Sequence, residues 1–310
     1  MNIYTRSQKL MGSAFTLGVV CGTEADAHTF LDMGIAEIER LEQLLSEFLP
    51  GSETAKINTS ILSGPLSIDK ECFDLIARCQ DLSKLTQGDF DITIGPLKKL
   101  FRFKNEAFEM PDKALIQQTL FRVGYHKLLL DAGQNSIGFS VRDMKISFAA
   151  IGKGYASDRV KTLWLKAGLD SGYINASGDL CAFGSKPDGS QWNIGIADPD
   201  DTRKILLYVP LNNAAAATSG DYEQHFIWKG KRYGHNIDPH TGMPLSGIKS
   251  VSIFSPSAEL SDALATAVYV KGIKKGLDFI NQLPQTHGII IDENNDIYGS
   301  KYIQYEMVNQ

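Results

Sequence analysis

Residues 172–211 read GYINASGDLCAFGSKPDGSQWNIGIADPDDTRKILLYVPL. Three strand-like segments follow one another in this stretch, at 172–184, 191–197 and 205–211, and turn-forming Gly, Pro, Asp and Ser residues separate them. Successive strands form meanders, whereas a doubly wound α/β protein alternates each strand with a helix. The stretch therefore favours an α+β fold.

Helices and strands are interleaved on both sides of this meander. Apolar spacing predicts helices at 25–47, 70–86, 153–167 and 259–272, and Gly88 follows the second of them as a stop signal. Further strands are predicted at 12–21, 127–131, 136–148 and 251–255, with a closing hairpin at 288–300 (GIIIDENNDIYGS). The chain contains no repeat or obvious linker. We therefore expect one compact domain, 1–310, with mixed or antiparallel sheets and flanking helices; a bilobed arrangement is the alternative.

The composition is that of an ordinary soluble globular protein, with 43% hydrophobic and 22% charged residues. A net charge of -5 argues against a nucleic-acid-binding protein, which normally carries a basic face. The four cysteines form no C-x-x-C motif, so we expect buried, reduced thiols rather than a zinc site or a dense disulfide framework. No segment reaches the roughly 18 apolar residues of a membrane span.

The amino-terminal segment AFTLGVV (14–20) suits a strand better than an export signal, because it is short and interrupted by Thr16 and Gly18. As written, the chain is expected to be cytoplasmic. If an export signal has been removed, the alternative is a periplasmic protein or a membrane-anchored lipoprotein.

Two glycine- or hydroxyl-bearing stretches could carry chemistry. In ELSDALATAVYVKG (259–272), Asp262 and Thr266 are four residues apart and share one helix face. They are either a first-turn charge with a threonine bonded to its own helix, or two oxygens directed at a ligand. In AAIGKGYASD (149–158), two glycines flank Lys153 at a helix start, which suits anion binding but also an ordinary tight turn.

Three further stretches have equally simple structural explanations. NASGDL (175–180) reads as a β-turn, and the Ser and Asp of AAAATSGDYEQHF (214–226) are good helix caps. Turn chemistry explains Asp-Pro and Thr-Gly in YGHNIDPHTGMP (233–244), but it does not explain why His235 precedes Asp238 by three positions.

Taken in order, eight blocks of the sequence resemble the FAD:protein FMN transferase (ApbE-like) family. They are KLMGSAFTL, LLSEFLPGSETAKIN, GDFDITIGPL, AAIGKGYASDRV, YINASGDLCAFGSKPDGSQWNIGIADP, AATSGDY, HNIDPHTGMP and SDALATAVYVKG. The resemblance runs from about residue 9 to the end of the chain. It implies an α+β fold and a transferase that splits FAD, attaches FMN to a threonine or serine of an acceptor flavoprotein, and releases AMP.

The resemblance also implies a site. Asp262, Thr266 and the backbone carbonyl of Gly152 match the family's Mg²⁺ ligands, and hard Mg²⁺ prefers oxygen donors. The residues that match the flavin-nucleotide site are Met11, Phe48, Asp89, Phe90, Asp91, Ala149, Lys153, Tyr155, Asp179, Thr218 and His235. His235 is our candidate general base, with Asp238 expected to orient it.

This sequence departs from the family pattern at several positions: Ala149 and Ala150 replace small glycine or serine residues, Gly152 replaces a frequent alanine, and two further changes alter the polar groups of the site. Phe48 stands where many relatives have tyrosine, so stacking is retained without the hydroxyl. Ser147 stands where relatives usually have aspartate, which changes the charge beside the glycine-rich turn. Two other functions fit the same residues: an FAD pyrophosphatase, in which water replaces the acceptor hydroxyl, and a non-catalytic flavin-binding protein.

Overall fold

The computed structural model describes residues 1–60, 64–101, 109–221 and 225–308. An eight-stranded sheet forms the centre of the fold, and every pair of neighbouring strands in it is antiparallel. In spatial order its strands are β1 (Asn2–Leu10), β2 (Ser13–Cys21), β6 (Gly172–Ala176), β7 (Asp179–Phe183), β10 (Ala215–Gly220), β13 (Ile248–Ser255), β14 (His287–Asp292) and β15 (Ile297–Gly299).

Three small antiparallel sheets complete the strands that the structure describes. One contains β8 (Trp192–Ala197), β9 (Ile205–Leu211) and β16 (Glu306–Met307). Another contains β3 (Leu66–Ser67), β4 (Leu128–Asp131) and β5 (Ser136–Phe139), and the third is the hairpin of β11 (His225–Trp228) and β12 (Lys231–Gly234).

The described helices are α1 (Glu24–Leu45), α2 (Glu53–Ser60), α3 (Lys70–Leu85), α4 (Gly95–Lys98), α5 (Lys113–Leu120), α6 (Gly152–Lys166), α7 (Ala258–Lys271) and α8 (Ile273–Ile280). Helices α1, α6 and α7 pack side by side against one face of the eight-stranded sheet. None of the helices in the described part of the chain is both long enough and apolar enough to cross a membrane.

The central strands are apolar on both faces because both faces are covered. Val251 of β13 and Ile290 of β14 pack with α7 residues, whereas Phe254 and Ile289 pack against Trp192 of the β8–β9 sheet. Side chains alternate between the two faces of a strand, so a strand buried on both sides needs apolar residues at consecutive positions. The run GIII at 288–291 meets that requirement.

The α+β prediction is confirmed. The predicted helices correspond to α1, α3, α6 and α7, and 205–211 is a strand from end to end. The closing hairpin forms from β14 and β15. All four cysteines are free and buried.

The segment 172–184 is a hairpin rather than one strand. Ser177 (φ 55°) and Gly178 (φ 105°) form a two-residue turn between β6 and β7, and Asn175 Oδ1 accepts a hydrogen bond from the Gly178 N–H. Two successive positive φ angles give a type I′ turn, whose twist matches the flanking strands. The turn interpretation of NASGDL is therefore confirmed.

The strand predicted at 136–148 ends early, at Phe139. Residues 144–148 bind the side chain of Asn58 instead of a neighbouring strand: Asn58 Nδ2 donates to the Ile146 carbonyl at 2.9 Å, and the Ile146 N–H donates to Asn58 Oδ1 at 2.8 Å. The Ser147 N–H donates to the Ile92 carbonyl.

The helix-cap explanation of AAAATSGDYEQHF is wrong for its hydroxyls. Thr218 and Ser219 lie within β10, where they pair with Ser252 and Val251 of β13. Tyr222 of this block lies outside the described residues. Sequence analysis also missed β1, α2, α5 and α8; β1 is largely exposed, and the three helices have only eight residues each.

Candidate active site

A cavity of about 1370 Å³ opens beside the N-terminal end of α6. Its walls come from the β1–β2 turn, the segment after α1, residues 89–101 and 147–153, strand β10, residues 235–239 and helix α7. All but three of the residues expected in the site line it. Those that do are Met11, Phe48, Asp89, Phe90, Asp91, Ala149, Gly152, Lys153, Thr218, His235, Asp262 and Thr266.

Helices α6 and α7 hold each other through their N-terminal halves. The Gly154 N–H, in the first turn of α6, donates to Asp262 Oδ2 at 3.1 Å. In return, Asp158 of α6 accepts hydrogen bonds from the N–H groups of Ala258 and Glu259 at the start of α7. Free N–H groups at a helix start favour a carboxylate. This reciprocal arrangement positions Asp262 at the cavity wall.

Asp262 and Thr266 face the same cavity, together with Gly152. Asp262 is the fifth residue of α7, so a first-turn dipole charge does not explain it. Thr266 Oγ1 lies 3.4 Å from Ser219 Oγ of β10. A carboxylate, a hydroxyl and a peptide carbonyl are all hard oxygen donors, so these residues fit the chemistry of Mg²⁺. Within the described ranges, no group of three or more His, Cys, Asp or Glu residues could hold a metal.

Lys153 and Asp179 form an ion pair at the cavity. Lys153 Nζ lies 2.6 Å from Asp179 Oδ2, and Asp179 Oδ1 accepts a hydrogen bond from the Thr218 N–H at 2.9 Å. Asp179 does not itself line the cavity. It contacts Lys153 on one side and the main chain of β10 on the other.

The acidic segment GDFD places the two carboxylates Asp89 and Asp91 at the cavity, and Asp91 is buried. Asp89 binds Lys271 and His240, with His240 Nε2 at 3.0 Å from Asp89 Oδ1. Asp91 accepts hydrogen bonds from the Thr93 N–H, the Thr93 hydroxyl and the Tyr125 N–H. Burial raises the pKa of Asp91, although those three hydrogen bonds favour its charged form. Asp91 therefore holds the loop in shape.

Phe48 and Met11 both line the cavity. Phe48 is 86% exposed at the cavity edge, whereas Phe90 is almost completely buried in the core. Met11 (φ 49°) and Gly12 (φ 75°) form the two-residue β1–β2 turn. The Met11 side chain reaches toward Gly152: a Cβ at that glycine would lie 3.5 Å from Met11 Cε.

Tyr155 does not line the cavity, contrary to expectation. Its hydroxyl donates to Glu71 Oε1 at 2.6 Å, and the Arg78 guanidinium lies over its ring. Burial, followed by the hydrogen bond to Glu71, raises the pKa of Tyr155. Lys153 and Tyr155 are two residues apart on one helix and so point to opposite sides. Tyr155 therefore belongs to a separate charged groove between α3 and α6.

Asp238 also lies outside the cavity lining, while His235 lies within it. Asp238 Oδ1 accepts a hydrogen bond from the His240 N–H, and Oδ2 accepts one from the Thr241 hydroxyl. Both oxygens are thus engaged in the Asp-Pro turn, which does not support the expectation that Asp238 orients His235.

Glu47 and Lys98 are among the cavity residues that were not selected from the sequence. Glu47 Oε1 accepts a hydrogen bond from Ser147 Oγ at 2.6 Å, so this carboxylate lies beside the position where the family resemblance led us to expect an aspartate. The charge that Ser147 lacks is therefore supplied by Glu47. Lys98, at the end of α4, also lines the cavity. Glu47 lies inside the matching block LLSEFLPGSETAKIN, and Lys98 directly follows the block GDFDITIGPL. Those positions were the signal that could have identified both residues.

Comparison with known proteins identifies the family to which this arrangement belongs. A model of the ApbE family matches residues 11–291. The chain belongs to the ApbE family. With that membership, the prediction of an enzyme of the transferase class is confirmed.

Similar ApbE sequences and structures cover nearly the whole chain. The FAD:protein FMN transferase of Treponema pallidum (strain Nichols) is 29% identical over 93% of this chain and 84% of its own length. That of Klebsiella pneumoniae (strain 342) is also 29% identical, over 95% and 91%. The crystal structure of the ApbE protein from Thermotoga maritima superposes with a TM-score of 0.89 at 30% identity, covering 97% of each chain. Apo Pseudomonas stutzeri flavinyl transferase ApbE gives 0.86 at 26% identity, covering 97% and 95%.

Proposed function

We propose that this protein transfers FMN from FAD to a threonine or serine hydroxyl of an acceptor flavoprotein, with Mg²⁺ required and AMP released. The relatives named above as FAD:protein FMN transferases support the reaction class. The observation that carries the proposal is the single cavity that Asp262, Thr266 and Gly152 share with Lys153. Because its lining extends from Met11 to Thr266, we also propose that the whole chain acts as one domain.

Asp262, Thr266 and the Gly152 carbonyl are the groups that would hold Mg²⁺. When bound, the ion would supply Lewis-acid stabilisation of charge on the diphosphate oxygens. Phosphoryl transfer depends mostly on positioning and on electrostatic stabilisation. The α6–α7 contact through Gly154 holds Asp262 rigidly at the cavity wall, and the Lys153–Asp179 pair holds a cation close by.

In the proposed reaction the acceptor hydroxyl oxygen bonds to the FMN-side phosphorus of FAD. The anhydride bond to the AMP phosphate breaks, and AMP leaves with that electron pair. His235 is the proposed base for the hydroxyl proton, since it lines the cavity. A positioned base contributes typically 10²–10⁴-fold, so His235→Ala should slow transfer by about that factor.

The decisive test is to incubate the protein with FAD and Mg²⁺, with and without an acceptor flavoprotein, and to follow AMP by chromatography and the acceptor by mass spectrometry. We expect one FMN on a threonine or serine of the acceptor. AMP and free FMN without acceptor modification would establish the pyrophosphatase instead, and flavin binding without AMP release would establish a binding protein.

Asp262→Asn supplies the matching structural test, because it removes the carboxylate charge at nearly constant volume. We expect the loss of both FAD cleavage and FMN transfer. Glu259→Gln is the control: it lies on the same helix, outside the cavity, and pairs with Arg78. If Asp262→Asn transfers FMN at the wild-type rate in Mg²⁺, the metal assignment is wrong.

A further inference from the structure

Lys98 is a cavity lysine with an unusual environment. It is the last residue of α4, it is only partly exposed, and its side chain lines the cavity. Across the described ranges its ammonium makes neither a hydrogen bond nor a contact ion pair. The other cavity lysine, Lys153, lies 2.6 Å from Asp179. Lys98 is therefore a cation placed in the cavity without a contacting carboxylate among the residues that the structure describes.

The electrostatics of this position have two components. Burial lowers the pKa of Lys98, while the negative charges of Glu47 and Asp262 act in the opposite direction. Those carboxylates are near enough to favour the charged ammonium but do not contact it. Glu47 is engaged with the Ser147 hydroxyl, and Asp262 with the Gly154 N–H.

A lysine that served only to neutralise nearby carboxylates would be expected to contact one of them. Lys271 does so with Asp89, as Lys153 does with Asp179. A partly buried ammonium held away from carboxylates loses hydration without gaining a partner. Such a group is suited to bind an anion that enters the cavity from solution.

We propose that the Lys98 ammonium binds the phosphate oxygens of the FAD diphosphate. The inference rests on the proposed function, which makes FAD the ligand of this cavity. The isoalloxazine, ribityl, ribose and adenine groups of FAD are neutral, so the diphosphate is the anion that the substrate brings. A point-charge ammonium with three donors is an ordinary ligand for phosphate oxygens.

The test compares flavin binding to purified wild-type protein and to Lys98→Gln, in Mg²⁺-free buffer so that FAD is not turned over. FAD and riboflavin are titrated separately, followed by flavin fluorescence. Riboflavin lacks both phosphates. We expect Lys98→Gln to raise the Kd for FAD about ten- to hundredfold, the range for a charge-assisted hydrogen bond, and to leave the Kd for riboflavin unchanged.

Two further variants sharpen the comparison. Lys99→Gln removes the same charge from the adjacent exposed lysine, which does not line the cavity, and should alter both constants less than twofold. Lys98→Arg keeps the charge and should recover most of the FAD affinity. Circular dichroism of each variant checks that it is folded.

The inference is overturned if Lys98→Gln binds FAD as tightly as the wild type, or if it loses affinity for FAD and riboflavin equally. It is also overturned if Lys99→Gln has the same effect as Lys98→Gln. These results are separate from the proposed function, which is tested by AMP release and acceptor modification in Mg²⁺ by the wild-type protein.

Discussion

Replacing Gly154 with alanine tests the contact that positions Asp262. An ideal Cβ at this position would lie 2.2 Å from the Ala258 carbonyl oxygen, 2.6 Å from its carbonyl carbon and 2.9 Å from Asp262 Cβ. Ordinary carbon–oxygen contacts are about 3.3 Å or longer. Because two of the three obstructing atoms are main chain, a side-chain rotation cannot remove the overlap. The first turns of α6 and α7 must separate by about 1 Å.

The expected loss follows from three contributions. Overpacking costs about 1–3 kcal/mol, and a rigid main-chain obstacle places this case near the top of that range. Weakening the Gly154 N–H to Asp262 hydrogen bond, which has a charged acceptor, costs a further ~1.5 kcal/mol. The higher helix propensity of alanine returns about 1 kcal/mol. We therefore expect Gly154→Ala to lower the free energy of unfolding by about 3 kcal/mol.

Urea denaturation followed by circular dichroism measures this change, and Mg²⁺-dependent AMP release measures its effect on the site. AMP release should fall at least tenfold, because Asp262 moves with α7. The matched control is Gly22→Ala, whose Cβ would meet no atom within 4 Å and which should change stability by less than about 0.5 kcal/mol. A Gly154→Ala protein as stable and active as the control would refute the reasoning.

Three other perturbations have equally definite outcomes. Lys98→Met should raise the free energy of unfolding by about 1 kcal/mol in urea denaturation, because it removes a partly buried ammonium that has no contact partner within the described ranges. A clear loss of stability would contradict this, and Lys99→Met is the control. Burial raises the pKa of Glu71, but hydrogen bonds and charge from its neighbours, Arg40 first, lower it overall below the ordinary 4.5. The ionised Glu71 carboxylate therefore stabilises the folded protein above pH 4.5, and this stabilisation is lost as the pH falls through the lower pKa of the folded state. Glu71→Gln should flatten the acid limb of a plot of stability against pH. An unchanged acid limb would contradict this prediction. Trp164→Ala removes a fully buried indole that donates a hydrogen bond to the Phe30 carbonyl. It should lower the free energy of unfolding by about 3–5 kcal/mol, measured by denaturation. A loss below about 1 kcal/mol, equal to that of the control Phe121→Ala at an exposed position, would contradict this.

The site was partly accessible from the sequence because its residues fall in short blocks with recognisable order. Asp262, Thr266 and Lys153 were selected that way and share one cavity. Tyr155 was selected by the same reasoning, yet it faces the groove between α3 and α6. Membership of a block does not specify which side of a helix packs on which neighbour. That is decided by the contact of α6 with α7.

The pairing of charges within the cavity could not be predicted from the sequence, for a similar reason. Ser147 indicated a missing carboxylate, but its replacement, Glu47, is 100 residues away in the chain and meets it at 2.6 Å. Lys98 directly follows a matching block, but nothing in the neighbouring sequence indicates whether its ammonium contacts a carboxylate. Pairing between charges distant in sequence depends on loop positions that no local pattern encodes.

The sequence alone determined the α+β class and several of its elements, such as α1, β9 and the β14–β15 hairpin. Those patterns are local consequences of side-chain geometry, so they can be read from neighbouring residues. Only the tertiary structure decided that β1 forms the exposed edge of the sheet, that residues 144–148 bind Asn58 rather than a strand, and that the cavity contains both Glu47 and Lys98. Each of these depends on contacts between distant segments, whose free energy comes from packing the whole chain and not from any one stretch of it.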